Sequence, residues 1–240
     1  MNASTRWQET IADNLSASQI PGFKKQDLSF SAVQAGFLPR VHGASPGTTQ
    51  RVTMPLAGVS TNYQPGELRP TGITTDLAIE GPGFFEVQMP DGTHGYTRDG
   101  EFHLNAQGQL TSKQGLLVMG DGGPVQLDAN NAAPATVAPT GEISQGGVIK
   151  GKLKLTQFSD AGALAPAGAS LFVVADPTAQ PQPATSASVR QGFLEQANTS
   201  AMLEMGNLIT AMRLYEANQK VFQTQDDRMS RLINDVANPT

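Results

Sequence analysis

The sequence lacks cysteine altogether: none occurs among its 240 residues. Disulfide bridges, iron–sulfur clusters bound by thiolates and thiol nucleophiles are therefore excluded. Aromatic residues are few as well, with one tryptophan and three tyrosines, and charged residues make up only 15% of the chain. No segment approaches the ~18 uninterrupted apolar residues of a membrane-spanning helix. A hydrophobic content of 38% nevertheless suffices for a sizeable folded core.

Charge patterning argues against nucleic acid as a partner. The formal net charge is −5, and no basic cluster of useful size occurs. Lys24 and Lys25 form an isolated basic pair, which we interpret as part of a solvated turn.

Residues able to carry chemistry are scattered rather than clustered. The three histidines, His42, His94 and His103, show no spacing typical of metal ligands. The glycine-rich segments 81–83 and 120–123 lack the strand-to-helix context of a phosphate-binding loop and are typical of hairpin turns. There is no G-x-S-x-G nucleophile motif. We therefore predict no catalytic, cofactor-binding or metal site, and no small-molecule substrate.

The C-terminal region carries the strongest pattern, an apolar stripe at heptad spacing over residues 201–236. It runs for five heptads without proline, which predicts one long helix with a face to bury. One column comprises Ala201, Leu208, Tyr215, Phe222, Met229 and Val236, and its partner column comprises Met205, Met212, Gln219, Asp226 and Ile233. The acidic Asp226 on this seam favours a role in register or partner choice.

The N-terminal region predicts a second, shorter helix over residues 1–18. Trp7, Ile11 and Leu15 recur at a spacing of four and so share one helical face, and Pro21-Gly22 stops the helix. Both apolar stripes are most simply buried against each other and against copies of themselves. This arrangement favours a polymer subunit over an enzyme.

The region between the two helical patterns is β-rich. From about residue 72 to 175, short alternating or apolar runs are separated by turn signals such as Asp99-Gly100. The runs are 77–79, 84–89, 102–104, 116–119, 153–158 and 171–174. Residues 176–188 then form a Pro/Ser-rich linker. We therefore predict an all-β central domain, a sandwich or barrel-like fold, inserted between N- and C-terminal α-helices that pair as a coiled-coil-like bundle.

These patterns predict a discontinuous terminal helical assembly domain (1–30 and 193–240), an extended linker segment (31–71) and a β-rich domain (72–192). Residues 24–70 are rich in Gly, Pro, Ser, Thr and Gln, and two interpretations stay open for them. They form either a flexible linker or an extended segment that packs only on assembly. The second interpretation rests on apolar side chains that a free linker would leave in water, namely those of Phe23, Phe30, Phe37 and Leu38.

Three stretches resemble the flagellar axial protein family, the rod and hook subunits of the bacterial flagellum. The first, Ile11–Lys24, is similar to the family's A-x-N-L-A-N helix end and its pGFK turn. The second, Thr75–Val87 with Tyr96–Phe102, is similar to the family's DlAI-GdGFF-V … YTR-G-F block. The third, Gln191–Asn198 with Tyr215–Val221, is similar to its qG-LE-SN … YEaN-KV pattern. The residues that replace the usual Ala and Asn of the first stretch are Ser16, Ser18 and Gln19.

The resemblance implies a structural subunit of the flagellar basal-body rod. Such subunits assemble with themselves and with other rod proteins into a helical tube that transmits torque across the periplasm, with the terminal helices inside and the β domain outside. The resemblance also implies export by the flagellar type III apparatus, which fits first 20 residues that lack the pattern of a secretory signal. Within the family, Gly122–Val125 and Gly151–Leu155 favour the proximal-rod type over the distal-rod and hook types.

The turn after the first helix is expected to set the direction in which the chain leaves that tube. Asn14 lies near the helix end, where its amide can satisfy free backbone groups. Gly22 can adopt a positive φ after Pro21, and Phe23 is expected to fill a neighbouring apolar site. With the two stripes, the predicted assembly residues are Trp7, Ile11, Asn14, Leu15, Pro21, Gly22, Phe23, Met205, Leu208, Met212, Tyr215, Phe222, Met229 and Ile233.

A competing function is a secreted carbohydrate-binding or adhesive β domain with helical oligomerisation tails. Such modules usually display aromatic side chains on a strand face. The single tryptophan of this chain, Trp7, instead lies in the N-terminal helical pattern, and only three tyrosines occur. An enzyme is the third possibility and lacks a candidate site. The sequence therefore favours the rod subunit.

Overall fold

Helices lie at both ends of the described chain. The structure, a computed structural model, describes residues 2–37, 51–128, 133–168 and 170–237. Helix α1 spans Asn2–Ser16 and helix α2 spans Ala201–Ala237. Between them, the described residues form nineteen strands and a single 3₁₀ turn at Ala161–Ala163. The prediction of a β-rich region between an N-terminal and a C-terminal helix is confirmed.

The strands are short, as apolar runs separated by turn signals predict. From β1 to β19 they span Gln26–Phe37, Arg51–Thr61, Leu68–Pro70, Leu77–Glu80, Phe84–Gln88, His94–Thr97, Phe102–Leu104, Leu110–Ser112, Leu117–Gly120, Gly123–Pro124, Ala135–Val137, Glu142–Gln145, Val148–Lys152, Leu155–Gln157, Leu164–Pro166, Leu171–Val174, Gln182–Pro183, Ser188–Gln191 and Phe193–Glu195. The six runs predicted from the sequence correspond to β4, β5, β7, β9, β14 and β16.

The largest sheet comprises ten strands, and its main path runs β15-β16-β6-β5-β9-β8-β7. Strand β10 pairs with β9, while β14 pairs with both β5 and β17. Strands β11, β12 and β13 form a separate three-stranded sheet. Two further antiparallel pairs, β4 with β18 and β3 with β19, bring the last residues before α2 back to the start of the β-rich region.

Alternation along β5 supplies two apolar clusters. Successive side chains of a strand point to opposite faces, so Phe84 and Phe85 enter different clusters. The ring of Phe85 meets Phe102 edge to face at 5.1 Å in the main core, and Phe84 meets Phe172 at 5.8 Å in the smaller cluster. The other fully enclosed apolar members of the main core are Leu77, Ile79, Val87, Val118, Ile143, Leu153 and Val189.

The segment expected to be a linker contains regular structure. Strands β1 and β2 form a separate two-stranded sheet, and the Ser29 hydroxyl donates a hydrogen bond to the Gly58 carbonyl at 3.2 Å. The flexible-linker interpretation is therefore wrong for these strands and for β3. The second expected linker likewise contains β17, which pairs with β14. Leu38 and the side chains of Phe30 and Phe37 lie outside the described residues.

The described chain divides into two compact units. The terminal unit comprises the described parts of 1–14, 26–60 and 202–240, and the β unit comprises the described parts of 15–25 and 61–201. This division places the segment 15–25, which follows most of α1, in the β unit. It also places β19 there, although the sequence assigned residues from 193 onward to the helical domain.

Candidate assembly site

The turn after α1 lies against the β unit at a position that requires glycine. Gly22 has a φ of +66°, which confirms the expected positive φ. Its N–H donates a hydrogen bond to the Glu195 carbonyl at 2.7 Å. A Cβ built on Gly22 would overlap the backbone of Arg98 and Asp99. The backbone of the turn therefore approaches the end of β6 as closely as a residue without a side chain allows.

Pro21 is fixed from the same side. The Ser170 hydroxyl donates a hydrogen bond to the Pro21 carbonyl at 3.0 Å. The carbonyl of Ser170 in turn accepts a hydrogen bond from the Thr97 hydroxyl at 2.8 Å. Ser170 adopts a φ of +65°, which is uncommon for a residue with a side chain. The turn that ends the first helical pattern is thus bound to the strand β6 through one serine.

Lys24 is buried rather than solvated, so the interpretation of the Lys24-Lys25 pair as a solvated turn is wrong for Lys24. Its side chain is 1% exposed. The ammonium Nζ lies 2.5 Å from Glu195 Oε1 and donates to the Gln64 carbonyl at 2.7 Å. A lysine is almost never fully buried unless it is paired, and the partner here stands 171 residues further along the chain.

The Glu195 carboxylate is the centre of this buried cluster. Arg98 Nη1 donates to Glu195 Oε2 at 3.0 Å, and the Gly66 N–H donates to Glu195 Oε1 at 2.9 Å. Arg98 also donates to the carbonyls of Ile79 at 3.2 Å and Gly81 at 2.7 Å. Four separate stretches of the chain therefore meet at a carboxylate that is fully buried.

The cluster contains one carboxylate and two cations. Burial lowers the pKa of Lys24 from its ordinary value, and the Glu195 carboxylate opposes that shift. Burial likewise lowers the pKa of Arg98, again against Glu195. Among the described residues, Arg98 Nε is the one buried side-chain polar atom without a hydrogen-bond partner. Removal of the carboxylate would leave two buried cations without a counter-charge, which is strongly destabilising.

Asn198 forms hydrogen bonds to the residues on both sides of Lys24 in the sequence and to the chain near Gln64. Its Oδ1 accepts a hydrogen bond from the Lys25 N–H at 2.7 Å, and its Nδ2 donates to the carbonyls of Asn62 at 2.8 Å and Gln64 at 3.0 Å. The Asn198 N–H donates to the Phe23 carbonyl at 3.3 Å. One asparagine thus connects the turn after α1 to the chain that enters β3.

Asn14 bonds to a strand rather than to its own helix end. Its Nδ2 donates to the Gln26 carbonyl at 2.8 Å, and its Oδ1 accepts from the Gln26 N–H at 2.9 Å. The side chain is buried. The expectation that this amide satisfies backbone groups at its own helix end is therefore wrong for these two bonds, which go to the first residue of β1, twelve positions further along the chain.

Helix α2 exposes much of its predicted stripe within this chain. The side chains of Met205, Met212, Phe222 and Met229 are 50%, 53%, 50% and 62% exposed. Ile233 lies in the helix, but its side chain is outside the described part of the chain. Beyond Asn218, every described side chain of α2 is exposed.

The covered face of α2 is displaced from the predicted seam. Buried and half-buried residues alternate at spacings of three and four, which is heptad spacing. They are Ala201, Glu204, Leu208, Ala211, Tyr215 and Asn218. The first half of the first predicted column, including Leu208 and Tyr215, is covered. In the second column the covered residues are Glu204 and Ala211, and not the predicted Met205 and Met212 that follow them in the sequence.

Two protein families match separate parts of the chain. The flagellar hook protein FlgE/F/G D1 domain matches residues 78–145, and the flagellar basal body rod FlgEFG protein C-terminal family matches residues 190–235. The first match lies in the β unit, and the second runs from β18 into α2.

Similar proteins extend these matches over most of the chain. The flagellar basal-body rod protein FlgF of Caulobacter vibrioides is 36% identical over 213 residues, which cover 89% of this chain and 84% of that protein. This chain belongs to the flagellar basal-body rod protein family. The FlgG proteins of Borreliella burgdorferi and of Buchnera aphidicola subsp. Schizaphis graminum are 29% and 31% identical, over 92% of this chain and 89% and 91% of their own lengths.

Membership makes the chain a structural subunit of the flagellar basal-body rod. The alternative of a secreted carbohydrate-binding or adhesive domain finds no support in these similarities. In the described part of this rod protein, no group of three or more His, Asp or Glu side chains comes together as a metal site. Neither described helix is long and apolar enough to cross a membrane.

The N-terminal stripe of the rod protein is covered to different degrees. Ile11 is buried, while Trp7, Leu15 and Phe23 are half-buried. The predicted assembly residues therefore fall into two groups. Those of α1 and the turn are largely covered within the chain, and those of α2 from Met205 onward are largely exposed.

Sequence reasoning missed the charged members of the turn cluster, Lys24, Arg98 and Glu195. Each lies inside one of the three stretches that resemble the axial family, and the structure brings these stretches together. One acid and two bases in separate motifs of a chain with only 15% charged residues could have indicated the cluster. Such a pattern does not reveal which of the charges are buried.

Proposed function

We propose that this rod protein assembles through its terminal helices, with the exposed apolar residues of α2 as the contact surface. The observation that carries the proposal is the exposure of Met205, Met212, Phe222 and Met229 along one long helix. Complete burial of a side chain of this size contributes about 1.5–3 kcal/mol. An isolated helix is marginal in water. Burial of several such residues in a contact that repeats along the assembly therefore stabilises the helix.

Pairing of α1 with α2 as a coiled-coil-like bundle is part of this proposal. It is supported by the heptad spacing of the covered residues on α2 and by the buried Ile11 on the short helix. Methionine suits such a surface, since its flexible side chain packs against neighbours that are not identical. A rod subunit needs this property because it contacts both copies of itself and other axial proteins.

Assembly of this kind gives the drive shaft of the flagellum. A contact between different faces of successive subunits, with a rotation that does not close into a ring, generates a helical filament. We infer that this chain joins itself and other axial rod proteins in such a filament, which transmits torque across the periplasm. We also infer that the chain reaches its site through the flagellar type III export apparatus, as the resemblance implies.

Within the family, we propose the FlgF type. The similarity to the FlgF of Caulobacter vibrioides, at 36%, and to that of Mesorhizobium japonicum, at 34% over 89% of this chain and 85% of that protein, supports this assignment. The FlgG proteins named above are 29% and 31% identical. The segments Gly122–Val125 and Gly151–Leu155 favour the same type.

Two experiments test these proposals. A density map of intact basal bodies that contain the tagged chain should place its β unit in the rod, with α2 inside the tube. Density for the tagged chain outside the rod, with none inside it, would contradict assembly of this chain into the rod. Expression in strains that lack FlgF or FlgG should restore motility in the first strain alone, and rescue of only the FlgG-deficient strain would contradict the FlgF type.

A further inference from the structure

We propose that Glu195 is a positioning residue that fixes the register of residues 15–25 on the β unit, acting on Gly22 through its backbone and on Lys24 through its side chain. The Glu195 carbonyl accepts the Gly22 N–H at 2.7 Å. The carboxylate of the same residue receives the Lys24 ammonium at 2.5 Å. Two contacts from one residue to positions two apart define a single alignment of the two segments.

Charge alone could not define this alignment. Lys25 follows Lys24 directly, so a shift of one residue would still offer an ammonium group to Glu195. That shift would bring Phe23 to the position of Gly22. A Cβ at this position overlaps the backbone of Arg98 and Asp99, and a positive φ is costly for a residue with a side chain. The glycine therefore excludes the shifted register, and the lysine provides the attraction in the correct one.

The carboxylate is needed for Lys24 more than for Arg98. Arg98 has two further acceptors, the carbonyls of Ile79 and Gly81. Lys24 has one, the carbonyl of Gln64. Without Lys24, Glu195 and Arg98 form a neutral pair, and binding of the turn adds a second buried cation. Loss of the negative charge should therefore release residues 15–25 while β6 stays in place.

The consequence for the rod rests on the proposed function. Along the sequence, the chain passes from the terminal unit to the β unit after residues 14 and 60, and from the β unit to the terminal unit after residues 25 and 201. Lys24 lies one residue before the crossing that follows residue 25, and Glu195 lies six residues before the crossing that follows residue 201. The carboxylate therefore acts close in sequence to both points where the chain leaves the β unit, so its loss should disturb rod assembly.

Hydrogen exchange of the full-length chain, followed by mass spectrometry of its peptides, tests the positioning role. Glu195→Gln should speed exchange in residues 15–25 by at least roughly 100-fold, because breaking a buried pair by removing one partner is strongly destabilising. Exchange in β5, β6 and β9 should stay as in the unmodified chain. Adding Lys24→Met to Glu195→Gln returns the net charge of the buried cluster to +1, the value in the unmodified chain, and should restore most of the protection. Lys25→Met removes the neighbouring ammonium and keeps Lys24, Arg98 and Glu195, so it is the matched control and should change exchange in residues 15–25 far less.

Several results would overturn the inference. They are unchanged exchange in Glu195→Gln, an equal increase in the core strands, or no recovery in the double variant. If Glu195→Gln unfolds the whole chain, recovery of a folded double variant supports the inference and failure to recover overturns it. Rod assembly in cells should fail in the single variant and return in the double variant. The exchange experiment does not depend on rod assembly, so it still tests the positioning role of Glu195 if the proposed function is wrong.

Discussion

The side-chain amide of Asn14 bonds both backbone groups of Gln26, as donor to the carbonyl at 2.8 Å and as acceptor from the N–H at 2.9 Å. Only 1% of Asn14 is exposed, so water cannot replace either bond. A planar amide is the side-chain group that offers a donor and an acceptor side by side. The pair fixes the first residue of β1 to α1 within the terminal unit.

Replacement of this amide should loosen the start of β1. Asn14→Ala removes both of these partners from the backbone of the half-buried Gln26, which should lower the free energy of unfolding by about 1–3 kcal/mol. Asn14→Asp should also destabilise, because its carboxylate keeps the acceptor but sets an oxygen against the Gln26 carbonyl. Denaturant unfolding and exchange at the Gln26 N–H provide the measurements. Glu9→Ala, an exposed change on the same helix, serves as control, and equal stability of Asn14→Ala and Glu9→Ala would contradict this role.

Substitutions at two glycines distinguish the cost of backbone strain from the cost of steric overlap. Gly22 and Gly72 have similar φ values, +66° and +73°, but a Cβ on Gly72 meets nothing within 4 Å. Gly72→Ala should cost only the strain of the left-handed conformation, about 1–2 kcal/mol. Gly22→Ala should cost at least ~2 kcal/mol more because the backbone of Arg98 and Asp99 must move. Equal losses in thermal unfolding would mean that the close approach has no energetic weight.

Patterns local in the sequence were sufficient for the elements themselves. Heptad spacing without proline predicted a helix over 201–236, and α2 spans Ala201–Ala237. The positive φ of Gly22 followed from its place after a helix-stopping proline. These features depend on neighbours a few residues away, which the sequence displays directly.

Contacts between distant residues could not be predicted in the same way. Lys24 sits in a polar stretch, and its burial depends on Glu195, which the β3–β19 pair holds in place. On α2, apolarity assigned Met205 to the seam, whereas the chain buries its neighbour Glu204. The Glu204 carboxylate accepts a hydrogen bond from the Asn207 side chain at 3.3 Å. Burial of a polar residue depends on such partners, and hydrophobic pattern alone does not reveal them.

Because of Asp99, the folded chain should be more stable at mildly acidic pH than at neutral pH. Burial raises its pKa to about 6, with the charges of Glu101 and Asp76 adding to the shift and the Glu101 N–H and Lys113 opposing it. Between the unfolded pKa near 4 and the folded value, the folded state binds the proton more tightly, so stability falls as pH rises through this window. The loss should be at most roughly 2–3 kcal/mol.

Asp99→Asn tests this expectation because an amide oxygen can still accept the Glu101 N–H, now at 3.0 Å from the carboxylate. The unfolding free energy of the variant minus that of the unmodified chain should increase from pH 4 to pH 7, because only the unmodified chain loses stability as Asp99 ionises. A difference that stays constant across this range would show that Asp99 does not titrate there in the folded state.

The exposed half of α2 should tolerate charge in the isolated chain and reject it in the rod. Phe222 and Met229 are 50% and 62% exposed, so Phe222→Asp and Met229→Asp should change the unfolding free energy of the free protein by no more than ~0.5 kcal/mol. In an assembled contact the same carboxylate would lose its hydration without gaining a partner, at a cost of several kcal/mol per subunit. Gln223→Asp adds the same charge at an exposed polar position and should leave assembly intact. Motility and basal-body morphology give the readout, with circular dichroism of the purified variants as the folding control. Normal rods in both apolar-site variants would show that this face of α2 is not the assembly surface.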